Sequence, residues 1–176
     1  MKRCCSLFLF WLLSLAPVYA QTGADEYGKD VYWNATPNDV NNLLKSMKQQ
    51  VDANFHMEVK TLGQVSPDPE QNPVLYRSGH YRFSYTPDER KKLREYLLNG
   101  GMIIFNTGLG SSPFYESVMA ELKQVFPEQP AQRLTADHPI FHAYYDVNSV
   151  AYTPAVAAAG YKGDQPWFDA IEINCR

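Results

Sequence analysis

The chain has 176 residues, 45% of them hydrophobic and 20% charged, with a formal charge of −3. A mildly acidic balance of this kind excludes a nucleic-acid binder, whose footprint is a basic face, and a membrane-surface module rich in Lys and Arg. The length suits one domain with a sizeable core.

Met1 to Ala20 opens with Lys2 and Arg3, continues through an apolar stretch from Leu7 to Leu15, and closes on Val18-Tyr19-Ala20. This is the pattern of a secretory signal peptide, with cleavage expected after Ala20. The apolar stretch falls short of the roughly 20 residues a membrane span needs. The expected product is therefore periplasmic or secreted, without stable membrane insertion, and comprises residues 21–176 as a single α/β domain. Losing Lys2 and Arg3 takes the formal charge from −3 to −5. Cys4 and Cys5 leave with the leader, so Cys175 stands alone and no internal disulfide is expected. It reads as a buried strand residue rather than a nucleophile.

Residues 21–34 lack periodicity, with Asp30-Val31-Tyr32-Trp33 their one apolar cluster, and Asn34-Ala35-Thr36 matches a glycosylation sequon. A first helix is expected with Thr36 as N-cap and Pro37 as its first residue, burying Val40, Leu43, Leu44, Met47 and Val51. Asn54 to Leu62 alternates as a strand whose wetter face carries His56, and the prolines 67, 69 and 73 punctuate the loop that follows. Val74-Leu75-Tyr76 begins the segment on which the fold class rests, a strand–helix–strand crossover ending at Ser112. Its helix is capped by Thr86, opened by Pro87-Asp88-Glu89 and closed by Gly100-Gly101. Leu93, Tyr96 and Leu97 supply the buried stripe, while Arg90, Lys91, Lys92 and Arg94 read mostly as a solvated face. Met102 to Phe105 is apolar on both faces, as expected of a central parallel strand covered by helices. A third helix from about Ser112 stops before Pro127. Beyond it come a turn at 128–131, a loop at Asp137-His138-Pro139-Ile140-Phe141, a flexible stretch at 155–160 and a closing strand at 167–174.

Leu75-Tyr76-Arg77-Ser78-Gly79-His80, Leu93 to Leu97 with Gly100-Gly101, Val125-Phe126-Pro127 and Asp137 to Phe141, in that order and spacing, resemble the bacterial domain of unknown function 4159 family. The resemblance covers about Tyr32 to Arg176. It implies a flavodoxin-like three-layer sandwich with a mainly parallel sheet, similar to class I glutamine amidotransferases and trehalose-utilisation-type proteins. Members begin with a strand ahead of the first helix, for which Asp30 to Trp33 is the only match, and continue past Arg176 with further sheet, so the chain is expected to be incomplete at its C-terminus.

In open parallel sheets ligands settle beyond the carboxyl ends of the strands. Three loops meet that condition: Ser78-Gly79-His80, the stretch from Asn106, Thr107 and Gly108 to Ser112, and Asp137-His138. These supply the expected ligand-binding residues. The resemblance would place a cysteine nucleophile at the turn Phe105-Asn106-Thr107-Gly108, which has none. Ser111 or Ser112 could act as a hydroxyl nucleophile with His80 or His138 as base, but Ser112 is more simply a helix cap. Gly108-Leu109-Gly110 lacks the lysine and full fingerprint of a phosphate loop, and its glycines fit a tight turn. His138 and His142 have metal-ligand spacing only on a helix, which Pro139 interrupts. No catalytic residue, metal or cofactor is therefore assigned. The leading expectation is an exported module that binds a small molecule or envelope protein. The alternatives are a hydrolase using His80 with a serine or metal, and a structural subunit of an envelope assembly.

Overall fold

The computed structural model describes residues 17–21, 38–158, 160 and 163–173. The sequon at Asn34, the cluster at 30–33 and Cys175 lie outside them. The protein is a mixed α/β chain forming two compact units, the first running to Glu128 and including Ile173, the second spanning Gln129–Glu172.

The first unit is built on strands β1 (Pro17–Gln21), β2 (His56–Lys60), β3 (Val74–Gly79) and β4 (Met102–Thr107). They form one sheet in the order β2-β1-β3-β4, every pairing parallel. β1 therefore lies inside the sheet. Among the described residues the strand ahead of the first helix is β1 itself, at 17–21, within the stretch that reads as a leader. β4 ends the sheet among the described strands rather than lying at its centre. Its Met102 and Ile104 are 49% and 40% exposed.

Helix α1 (Asp39–Val51) starts two residues later than its composition suggests, on an Asn38 that makes no side-chain cap. Val40 and Leu44 are buried, but Leu43 and Val51 are exposed. The buried stripe is narrower than the apolar one. Helix α2 (Pro87–Leu98) follows its local signals closely. Thr86 Oγ1 accepts from the Glu89 N–H while the Glu89 carboxylate accepts from the Thr86 N–H, a reciprocal capping box worth about 1 kcal/mol. Gly100, at φ 102°, ends the helix in a conformation that side chains avoid. Gly101 leaves room for the Tyr96 ring, whose Cζ would lie 2.1 Å from any Cβ placed there.

Tyr96 ties this helix to the sheet. Its hydroxyl lies 2.8 Å from the Asn72 carbonyl and 3.0 Å from that of Met102, and accepts from the Met102 N–H at 3.1 Å. Burial pushes its pKa up to about 12, so the phenol keeps the proton this junction needs. Beneath the helix, Leu75, Leu93 and Leu97 are buried, each apolar side chain contributing about 1.5–3 kcal/mol.

Helix α3 (Ser112–Val125) is capped by Ser111, not Ser112, and stops where Pro127 requires. Much of the basic run on α2 is built into its junction with α3. Arg90 holds Glu121 with two bonds of 2.7 and 2.9 Å, and Glu121 is 3% exposed. Arg94 donates to the Val125 carbonyl at 2.6 Å and to Glu128. Lys92 reaches the Gly63 carbonyl, and Lys91 is exposed.

The second unit has a short antiparallel pair, β5 (Gln132–Leu134) with β6 (Phe168–Ala170). The closing strand is thus three residues long. A 3-10 turn at Pro139–His142 buries Phe141 while Ile140 is exposed, and Phe141 stacks on Phe168 at 5.2 Å. Pro154–Ala158 is a short helix, α4, where the small residues suggest only a flexible stretch.

Candidate functional site

Parallel pairing with Ser78 opposite Asn106 and Gly79 opposite Thr107 sends the loops after β3 and β4 out of the same sheet edge. The sheet therefore brings the loops after β3 and β4 together. Their junction is specific. His80 Nδ1 lies 3.2 Å from the Gly108 carbonyl. A carbonyl can only accept, so Nδ1 carries the proton, and in the neutral ring Nε2 carries the lone pair. Ser111 Oγ donates to the backbone carbonyl of His80 and caps the first turn of α3. Its hydroxyl is held in place as a clamp between the two loops. Ser112 is exposed at the first helical position.

Glycine is required at the contact. A Cβ on Gly79 would lie 2.1 Å from Phe114 Cε2, inside a buried ring, and one on Gly108 would press against the Gly79 carbonyl at 3.2 Å. Gly110 turns the chain at φ 72°. The glycines here thus serve close approach as well as turning. Ser78, Asn106 and Thr107 are half-buried at the same edge. Asn106 Nδ2 donates to the Tyr76 hydroxyl at 2.6 Å, joining neighbouring strands on one face. Tyr76 belongs with the site and is visible in the sequence only once the β3–β4 register is known.

Arg77 points to the opposite face and is buried, its guanidinium 3.9 Å from the Phe83 ring centre and 5.1 Å from that of Tyr85. Burial pushes the Tyr85 hydroxyl to about 12, with Arg77 opposing the shift. A cation stacked on two rings under the site stiffens the strand that presents His80.

Asp137 and His138 lie in the second unit. The Thr135 hydroxyl donates to Asp137, holding its carboxyl below the usual range. His138 Nδ1 accepts from the Ile140 N–H at 3.2 Å and Nε2 faces Glu172 Oε1 at 2.6 Å, an arrangement that a neutral Nε2–H ring satisfies. His138 caps the 3-10 turn. His142 differs, because its nitrogens face two acceptors, Asp146 at 2.9 Å and the Ala136 carbonyl at 2.8 Å. Only the doubly protonated ring satisfies both. Among the described residues no group of three or more His, Cys, Asp or Glu could hold a metal, and no helix is long and apolar enough to cross a membrane.

A parallel sheet carrying a two-loop junction at its carboxyl edge is where the family enters. The model of the family described as domain of unknown function (DUF4159) matches residues 18–174, and the chain belongs to that family. Among curated proteins none matches this chain.

Proposed function

We propose that the protein is an exported module that binds a small molecule or an envelope partner through the joined loops 78–80 and 106–111. The reading rests on a flavodoxin-like, class I glutamine amidotransferase-like arrangement. The strand order β2-β1-β3-β4 supports it, because the crossovers through α1 and α2 leave β1 and β3 in opposite directions. Right-handed crossovers of that kind put the two helices on opposite faces, and a crevice opens where the order reverses. β3 flanks that crevice, and Ser78-Gly79-His80 is its exit.

The single observation that carries the reading is the His80–Gly108 contact. It holds the imidazole at the sheet edge through its Nδ1–H, which makes Nε2 the accepting nitrogen when the ring is neutral. The turn at 105–108 offers no cysteine to make the edge an amidotransferase. The same tautomer would also serve a general base, so hydrolysis is the second reading.

Melting the protein against a panel of carboxylates, sugars and nucleotides tests both. The expected outcome is a raised melting temperature with one class, by mass action. His80→Ala removes the shift while its ligand-free melting stays within a few degrees. Turnover of an ester or amide panel that disappears in the same variant, with no compound raising the melting temperature, would replace binding with hydrolysis. A panel that neither binds nor reacts would count against the site.

A further inference from the structure

Pro17 to Gln21 carries two readings. Val18-Tyr19-Ala20 has the small-residue exit at which a leader is cut. The same residues are β1, paired with β2 from Pro17↔His56 to Gln21↔Lys60 and with β3 from Val18↔Val74 to Ala20↔Tyr76. The family match also begins inside this strand, at residue 18. Backbone pairing and similarity to relatives are separate observations, and both put Val18 to Ala20 inside the domain.

Hydrolysis after Ala20 adds water across the Ala20–Gln21 amide, leaving a carboxylate on Ala20 and an amine on Gln21. Of the five β1 residues the downstream product keeps Gln21 alone. Neighbouring strands lie about 4.8 Å apart, so removing the strand between β2 and β3 leaves them about 10 Å apart, beyond the reach of a hydrogen bond. Each then presents an unmatched row of N–H and C=O groups to the gap. β1 has a strand on either side, so its loss divides the sheet.

We infer that cleavage after Ala20 and formation of this sheet are mutually exclusive: the folded domain retains Pro17–Gln21, and a protease of the leader-removing class acting at Ala20 switches it off. An exported folded form then requires cleavage on the amino side of Pro17, or none.

The test combines intact mass with amide hydrogen exchange. The full chain is expressed, and the N-terminal residue of its protease-resistant fraction is read by mass. Chains begun at Gln21 and at Ala16 are measured beside it. The expected result is a resistant fraction that retains residues 17–21, and β3 amides protected in the full chain and in the chain from Ala16. In the chain from Gln21 they exchange at least tenfold faster. A resistant fraction beginning at Gln21 overturns the inference. So does equal β3 protection in the chain from Gln21. Loss of protection in the chain from Ala16 as well as the chain from Gln21 overturns it too, because retaining the strand would then have had no effect.

Discussion

Gly79 sits where one methyl group decides whether β3 can approach α3. The Phe114 ring it would strike is buried and is not the movable end of an exposed side chain. Gly79→Ala is therefore expected to destabilise the protein by about 1–3 kcal/mol, the usual range for overpacking, as read by urea denaturation. His142 gives a second prediction. Its pKa is raised, first by the bond to Asp146 and then by the Ala136 carbonyl, with Asp137 adding a smaller charge effect. A folded pKa above the unfolded value favours the protonated ring in the folded protein. The contribution is complete below about pH 6.5 and is lost as pH rises through the folded value. An NMR titration of His142 should show a midpoint above the ordinary histidine range, and Asp146→Asn should bring it down. At this scale the sequence marks Gly79 and His80 as unusual, since a glycine beside a histidine after an apolar strand is a local signal. It does not reveal that Phe114 packs on Gly79 or that Tyr76 meets Asn106, because those contacts depend on a register and a packing angle that no local pattern encodes.

Elements are most legible where their ends are written in neighbouring residues. Thr86 to Glu89 and Gly100-Gly101 bound α2 because caps act over three or four positions, and the hydrogen bonds agree. The charges on that helix are less legible. Arg90 and Lys91 look alike in sequence, yet one neutralises a buried glutamate and the other meets water. Glu121→Ala should cost about 1.5–3 kcal/mol, the range for hydrogen bonds to charged groups, whereas Lys91→Ala should stay within about 0.5 kcal/mol. Paired chemical denaturation curves separate the two. The start of α1 is misread for a related reason: Thr36-Pro37 has the composition of a cap, but the helix begins at Asp39. Val59, Met102 and Ile104 show the converse limit, since apolar strand residues are read as buried and these are exposed.

For the whole molecule, the parallel class of the sheet follows from the β3–α2–β4 crossover, whose caps and apolar runs are local. The position of β1 does not, because a short run that ends on small residues satisfies both a leader and an interior strand. The second unit is less legible still. Its strands are three residues long, shorter than any periodicity can identify.

The strand order also carries a kinetic consequence. β3 and β4 are joined by a single helix and are the closest partners along the chain, while β1 must pair with β3 across the whole of α1 and β2. Loop-closure entropy favours the short connection, so the crossover forms early and the docking of β1 comes late. Of the described strands in this sheet, the first to leave the ribosome is thus the last to find both its neighbours. Until it does, the edges of β2 and β3 that pair with β1 are unmatched, and each is open to another extended segment by the same backbone pairing.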